Sequence, residues 1–364
     1  MTPSAPTALG SSIRVPDLSQ ARVVLLAGGR SSEREVSLWT ARGVRDALTG
    51  ALATTHHPFL PREVRMVEIG LDGRWSLDGH VRSPAETLVE LRRSDVVFSC
   101  LHGGEGEDGT IQGFLATSGC GFTGSGVRAS ALCLDKLATR ALAQTVDVAV
   151  APGLCSSLPE WRDDRTAFLQ RVRSLSRSGW VIKPRCGGSS VATCVTMEER
   201  ELEPAIEAVF ATGDDVLVEA RIAGVELSCG VLGNRGGALT SLPPIEIRPA
   251  DGKFFDYQQK YASDGAREVC PPVGIGHESI ERVRWAAERV HRRAGCDGYS
   301  RIDFIVPSEH GREREPVMLE VNTLPGMTAR SLLPQEAAAV GLDYAGLCLV
   351  ILGLALERRT QVQS

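Results

Sequence analysis

The chain has 364 residues, of which 43% are hydrophobic and 23% charged, with a formal net charge of -5. That length suits two or three ordinary domains with a sizeable core. The mild negative charge excludes the basic footprint of a nucleic-acid binder and offers no anchor to a membrane surface.

Residues 1–20 are rich in Ser, Pro, Ala and Thr and lack the basic start and apolar run of a signal peptide. They predict a disordered tail. An apolar strand follows from Val23 to Ala27, then Gly28-Gly29, then a helix in which Val36, Val44 and Leu48 keep helical spacing. Ser32 and Glu35 fit a capping box at its start. Strand, glycine turn and helix in this order predict a Rossmann-like α/β domain over 21–122.

A second strand, Val96 to Leu101, runs into a loop with four glycines that carries His102. A lone histidine there is either structural or a neutral imidazole beside a substrate. The next segment, 123–218, holds a helix with Lys136 and a strand Trp180 to Lys183. That strand leads into Pro184-Arg-Cys-Gly-Gly-Ser-Ser-Val191, either an ordinary surface turn or a loop whose N–H groups and hydroxyls cradle phosphates. It is not a P-loop. Only four of the 40 basic residues are lysine (Lys136, Lys183, Lys253, Lys260), which marks them for specific work on phosphates.

The last segment, 219–364, is rich in strands. Arg248 to Gly265 predicts a hairpin or long loop, and Phe254 to Ala262 within it alternates aromatic and polar residues, as an aromatic-bearing hairpin packed on the core or a water-excluding lid would. Arg301 to Val306 and Val317 to Val321 predict an antiparallel pair. One face would then carry Arg301, Asp303, Glu320 and Asn322. Two carboxylates and an amide oxygen are hard ligands that suit Mg²⁺, with phosphate oxygens completing its shell. A solvated hairpin face with ion pairs is the alternative. Tyr344 to Leu356 is apolar but too short to span a bilayer, and predicts a buried helix. The ten cysteines are scattered, with no C-x-x-C pair, and read as reduced thiols of a cytoplasmic protein.

Together and in this order, the motifs resemble the ATP-grasp ligases, and within them the D-alanine-D-alanine ligase family. The stretches that carry the resemblance are Ala27-Gly-Gly-Arg-Ser-Ser-Glu-Arg-Glu-Val-Ser37, Leu101-His-Gly-Gly-Glu-Gly-Glu-Asp-Gly-Thr110, Thr123-Gly-Ser-Gly-Val127 and Ser130-Ala-Leu-Cys-Leu-Asp-Lys136. They continue with Lys183 to Val191, Lys260-Tyr-Ala-Ser-Asp264, Ser300-Arg-Ile-Asp303 and Leu319-Glu-Val-Asn-Thr-Leu-Pro-Gly-Met-Thr328. Arg185-Cys186-Gly187 and Ala192, the last where a glycine is usual, depart from the family pattern.

The resemblance implies a three-domain ATP-grasp architecture of mixed α/β class. It implies that Lys136 and Lys183 hold the ATP phosphates, with Lys260 on the γ-phosphate side. Glu219, Ala220 and Ile222 would meet adenine, and Glu226 the ribose. Asp303, Glu320 and Asn322 would ligate two Mg²⁺ ions, with Mn²⁺ as a substitute. Glu33 would receive the ammonium of the first D-alanine, and Ser189 and Tyr261 would link with it to close the lid. Arg301 and the Gly326 N–H would stabilise the oxyanion. Ser331 and Leu332 would position the second substrate, with His102 nearby. The expected partners are D-alanine and ATP, with no nucleic acid or membrane, in a homodimer. The rivals are a ligase taking D-lactate, D-serine or another amino acid second, and a silent ATP-binding regulatory module.

Overall fold

Strand β1 (Arg22–Gly28) is buried over six of its seven residues. Such a run forms the centre of a parallel sheet covered on both faces. In the computed structural model, which describes residues 13–51, 57–188, 192–248 and 267–363, it pairs in parallel with β2 (Glu63–Ile69) and β5 (Val96–Ser99). Short antiparallel strands β3 (Trp75–Leu77) and β4 (His80–Arg82) extend the sheet, in the order β4-β3-β2-β1-β5. Side chains alternate as the pleat requires. Val23, Leu25 and Ala27 join one core, and Val24 and Leu26 join another with Leu91 and Leu115. Helices α1 (Arg34–Leu48), α2 (Pro84–Arg93) and α3 (Thr110–Thr117) complete this Rossmann-like part.

The capping box expected at Ser32 and Glu35 does not form. Helix α1 starts one residue later than that box requires, with Glu33 at the N-cap and no side-chain cap. The turn is set instead by Ser31, whose hydroxyl donates to the His102 carbonyl at 2.5 Å and accepts from the Glu33 N–H at 3.3 Å. A tertiary bond to the glycine loop thus overrides the local motif, and it points Glu33 toward that loop.

Helices α4 (Val127–Leu134) and α5 (Lys136–Gln144) and strand β6 (Ala149–Val150) follow. A four-stranded antiparallel sheet comes next, in the order β7-β10-β8-β9. Its strands are β7 (Gly153–Ser156), β8 (Trp180–Pro184), β9 (Cys194–Thr196) and β10 (Val216–Ala220). Helices α6 (Leu158–Asp163), α7 (Arg165–Leu175) and α8 (Leu202–Phe210) cover one face over a core of Trp161, Val172, Ile182 and Ile206. The segment boundary drawn at 218/219 falls inside β10.

The largest sheet runs β14-β13-β11-β15-β17-β6. Its strands are β11 (Gly224–Leu232), β13 (Ile245–Arg248), β14 (Arg267–Val269), β15 (Tyr299–Glu309) and β17 (Val317–Asn322), with β12 (Thr240–Ser241) and β16 (Arg312–Glu313) at its margins. One face is apolar. Leu227, Cys229, Ile302, Phe304, Met318 and Val321 pack there against α4, α5 and α9 (His277–Ala294). The period of two then sends Ser228, Arg301, Asp303, Glu320 and Asn322 to the opposite face.

Helix α10 (Leu332–Ala339) leads to α11 (Tyr344–Gln363). Leu347, Leu349, Ile351 and Leu352 of α11 share a core with Val44, Leu48 and Phe98 of the first sheet. The C-terminal helix therefore seals the N-terminal part, at about 1.5–3 kcal/mol for each large apolar side chain buried. No single helix among the described residues is long and apolar enough to cross a membrane.

Candidate active site

A cleft of about 660 Å³ lies between the four-stranded sheet and the polar face of the large sheet. Lys136, Lys183, Glu219, Ala220, Ile222 and Glu226 line it, together with Arg301, Asp303, Glu320 and Leu332. Ten expected site residues from distant parts of the chain thus meet in one cavity.

The two lysines come from opposite sides. Lys136 is the first residue of α5, directly after its N-cap Asp135, whose side chain accepts the Ala138 N–H. Its ammonium donates to the Gly187 carbonyl and lies 3.8 Å from Glu320. Burial pulls its pKa down, against the pull of Glu320. Lys183 sits in β8 with its ammonium 2.7 Å from Glu219. The buried Glu219 carboxylate is also paired with Arg140. That carboxylate is committed to two cations.

The departing residues of the glycine loop have structural roles. Arg185 forks onto Asp135 at 2.9 and 2.6 Å and reaches Asp215 at 3.2 Å. It anchors the loop to the helix that carries Lys136. Ala192 has φ of 54°, in the left-handed region that a glycine enters without strain.

On the large sheet, Arg301 faces Asn322 and Asp303 faces Glu320, as the strand spacing predicts. The register slips after Asp303, so Leu319 is an extra residue and both Leu319 and Glu320 line the cleft. Arg301 donates to Asp303 through Nε at 3.0 Å and Nη2 at 2.8 Å. Burial pulls the guanidinium pKa down, but the charge of Asp303 and these bonds outweigh it and raise the pKa. Ser228 donates to Asp303 Oδ1 at 2.6 Å, and Asn322 Nδ2 donates to Oδ2 at 3.1 Å. Among the described residues no three His, Cys, Asp or Glu side chains cluster as a metal cage. Two carboxylates and one amide oxygen fit a magnesium ion only if ligand oxygens supply the rest of its shell.

In the glycine loop after β5, His102 is buried, with Nε2 3.0 Å from the Thr40 hydroxyl. Burial lowers its pKa to about 4 even though the Leu324 carbonyl accepts a bond from the ring, so the imidazole is neutral. Glu107 lies 4.0 Å from it and accepts the Gly103 N–H at 3.0 Å. Burial, then the nearby charge of Glu33, raises the Glu107 pKa to about 7. A Cβ placed on Gly103 would meet the Glu33 carboxylate at 2.6 Å, and one on Gly188 would lie 3.9 Å from it. Glu33 therefore stands between the first glycine loop and the phosphate-cradle loop. Gly326 packs against Ser331, whose hydroxyl would be 2.8 Å from a Cβ at that glycine. Leu332 opens α10 at the cleft rim. Ser189, Lys260 and Tyr261 lie outside the described residues, as does the lid segment.

Sequence reasoning missed Glu107, Ser228 and Arg140. Glu107 sat inside a quoted motif, and Ser228 shares the two-residue period of Glu226, so both had a signal. Arg140 had none.

Two α/β sheets gripping a cleft of lysines and carboxylates beside a Rossmann-like domain define the ATP-grasp class. Profiles of the D-ala D-ala ligase N-terminus and C-terminus match residues 22–125 and 142–352. The D-alanine-D-alanine ligase of Nitratidesulfovibrio vulgaris is 39% identical, over 93% of this chain and all of its own length. That of Halalkalibacterium halodurans is 38% identical, over 93% and 100%. Among solved structures, the Bacillus anthracis D-alanine-D-alanine ligase complexed with ATP aligns with a TM-score of 0.72 at 27% identity, over 94% of this chain and 99% of that one. The VanG D-Ala:D-Ser ligase of Enterococcus faecalis aligns at 0.75 and 28%, over 92% and 99%. The chain belongs to the D-alanine-D-alanine ligase family.

Proposed function

We propose that this chain joins two D-alanine molecules into D-alanyl-D-alanine at the expense of ATP, a step that supplies peptidoglycan precursors. The observation that carries the proposal is the cleft into which Lys136 and Lys183 converge from opposite sides and which Arg301, Asp303 and Glu320 also line. Cations for the phosphates and hard oxygen ligands for a metal, in one cavity, are what phosphoryl transfer to a carboxylate requires.

ATP lies with its phosphates on Lys136 and Lys183, and with Lys260 toward the γ-phosphate. Because the Glu219 carboxylate is held by two cations, adenine is met by the backbone from Glu219 through Ala220 to Ile222, and ribose by Glu226. Asp303, Glu320 and Asn322 would hold two divalent cations. When bound, those ions neutralise charge on the transferred phosphoryl group.

The carboxylate oxygen of the first D-alanine attacks the γ-phosphorus, the bond to ADP breaks, and an acyl phosphate forms. Glu33 receives the ammonium of that substrate. The second amine, as free base, attacks the acyl carbon; the tetrahedral adduct loses phosphate and a proton, leaving the peptide bond. Arg301 and the Gly326 N–H stabilise the oxyanion of that adduct, a task for preorganised donors. Ser331 and Leu332 position the second carboxylate, with neutral His102 close by. Ser189 and Tyr261 link to Glu33 as the lid closes, which protects the acyl phosphate from water.

We assign the activity to the cytoplasm and to a homodimer. We divide the chain after 122 and, because β10 runs through Ala220, after 220 rather than 218. The test is ADP release with Mg-ATP across D-alanine, D-serine and D-lactate. Turnover that requires D-alanine as first substrate and prefers it as second is expected. Turnover only without D-alanine sinks the substrate assignment, and no turnover with any of them favours a silent nucleotide-binding module.

A further inference from the structure

In the β11–β15–β17 register, Ser228 faces Asp303, which faces Glu320, while Gly230 faces Arg301, which faces Asn322. Paired residues of neighbouring strands send their side chains to the same face. The second row therefore lacks one side chain, at Gly230, right beside Arg301.

Another element fills that place. Glu336 of α10 is fully buried, and its Oε2 accepts the Gly230 N–H at 2.7 Å. A Cβ on Gly230 would lie 2.4 Å from that same oxygen and 2.4 Å from Leu333 Cδ1. Gly230 is not one of the positive-φ glycines. It is needed for the close approach of Glu336, not for an unusual backbone.

The charge of Arg301 acts on Glu336, and that of Glu336 on Arg301. Burial pushes the Glu336 carboxyl well above its usual range, against the pull of Arg301 and the Gly230 N–H. Its Oε1 has no hydrogen-bond partner among the described residues. A buried, half-satisfied carboxyl is destabilising where a leucine between Leu333 and Ala337 would not be. Packing alone therefore does not account for an acid here. Asp303 grips only the Nε and Nη2 edge of the guanidinium. A long arginine side chain held along one edge still needs a wall to fix where it points.

We propose that Glu336 is a positioning residue for Arg301, entering through the gap left by Gly230 to back the guanidinium that Asp303 holds from the side. The proposal rests on the reading of Arg301 as the oxyanion group. Glu336 does not line the cleft, so it touches neither substrate nor nucleotide and acts through Arg301.

The experiment measures kcat, KM for ATP and D-alanine, and Tm for Glu336→Ala, Glu336→Gln, Gly230→Ala, Arg301→Lys and the Arg301→Lys/Glu336→Ala double variant. Misplacing a charged group by about 1 Å costs up to about a hundredfold in rate. Glu336→Ala and Gly230→Ala should each lower kcat by about tenfold or more and leave KM for ATP within about twofold. Glu336→Gln should recover most of that loss, because its amide oxygen accepts the same N–H in the same volume. The double variant should be no slower than Arg301→Lys alone. If Glu336→Ala and Gly230→Ala lose only Tm and keep kcat, Glu336 is packing and the proposal falls. It falls equally if Glu336→Gln is as slow as Glu336→Ala. Should Glu336→Ala fail to fold, Gly230→Ala and Glu336→Gln decide. A fast Arg301→Lys would overturn the reading of Arg301 itself, an outcome distinct from a slow Arg301→Lys beside fast Glu336 and Gly230 variants.

Discussion

Asp303 stands directly opposite Glu320 across β15 and β17, and the register slips by one residue immediately beyond that pair. The two carboxylates differ in what holds them. Asp303 is buried and bonded by Arg301, Ser228 and Asn322. The Glu320 side chain is 32% exposed at the cleft, 3.8 Å from Lys136. Removing the Glu320 charge should therefore touch metal binding with little cost to the fold. Glu320→Gln is expected to raise the Mg²⁺ concentration for half-maximal ADP release by about tenfold or more, in the range of lost metal-site partners. A Mg²⁺ titration at saturating ATP measures it. An unchanged midpoint would remove Glu320 from the metal site.

Arg301 offers a cleaner separation of binding from chemistry. It lines the cleft, and the Asp303 carboxylate beside it favours its charged form. Arg301→Ala should retain nucleotide binding but lower ligation by about 10²–10³-fold, the usual effect of losing one oxyanion donor. Nucleotide binding is read by fluorescence titration and ligation by D-alanine-dependent ADP release. Ligation at the wild-type rate would show that the oxyanion is stabilised elsewhere.

Ala192 makes a prediction about strain. A non-glycine residue in the left-handed region costs about 1–2 kcal/mol, and a glycine costs about 0.5–1 kcal/mol of chain entropy. Ala192→Gly should therefore be neutral to slightly stabilising, with Tm raised by about 1–3 °C. A scanning calorimetry trace checks it. A clear fall in Tm would mean that the alanine methyl makes contacts worth more than the strain it carries.

The parts of this site that were legible in the sequence are those fixed by local geometry. Arg301 and Asp303, like Glu320 and Asn322, share a face because strand side chains alternate, and pairing the strands brought the four together. Lys136 and Lys183 stood out because the chain spends lysine so sparingly. Glu336 was not legible, because its place depends on α10 crossing the sheet at a glycine. Arg140 was hidden for the same reason, since only the fold brings α5 to β10. The predicted cap at Ser32 failed where a long-range bond from Ser31 to the His102 carbonyl outweighed a local preference. The break at 218/219 falls inside β10, where Glu219 continues the strand held between two buried cations.

The last prediction concerns pH. Buried His102 and His291 both have pKa values lowered by burial to about 4, from an ordinary 6.5. Each binds its proton more weakly when folded, so the stability it contributes is complete above pH 6.5 and is lost as pH falls toward 4. Glu107 works in the opposite sense. Its pKa rises from 4.5 to about 7 through burial and then through the charge of Glu33, with Glu320 adding and Arg301 opposing. Its contribution is complete below pH 4.5 and is lost as pH rises through 7. Each shift corresponds to a few kcal/mol at most, about 1.4 kcal/mol per unit. Glu107→Gln should therefore flatten the decline in Tm between pH 5 and 8 while keeping an acceptor for the Gly103 N–H. His102→Gln should flatten part of the decline below pH 6.5 and leave the share of His291. Thermal melts of the three proteins from pH 4.5 to 8.5 test both signs at once. If Glu107→Gln tracks the wild type across the neutral range, the Glu107 carboxyl is not held protonated by its burial, and the packing of Glu33 and Gly103 around it must be looser than these contacts indicate.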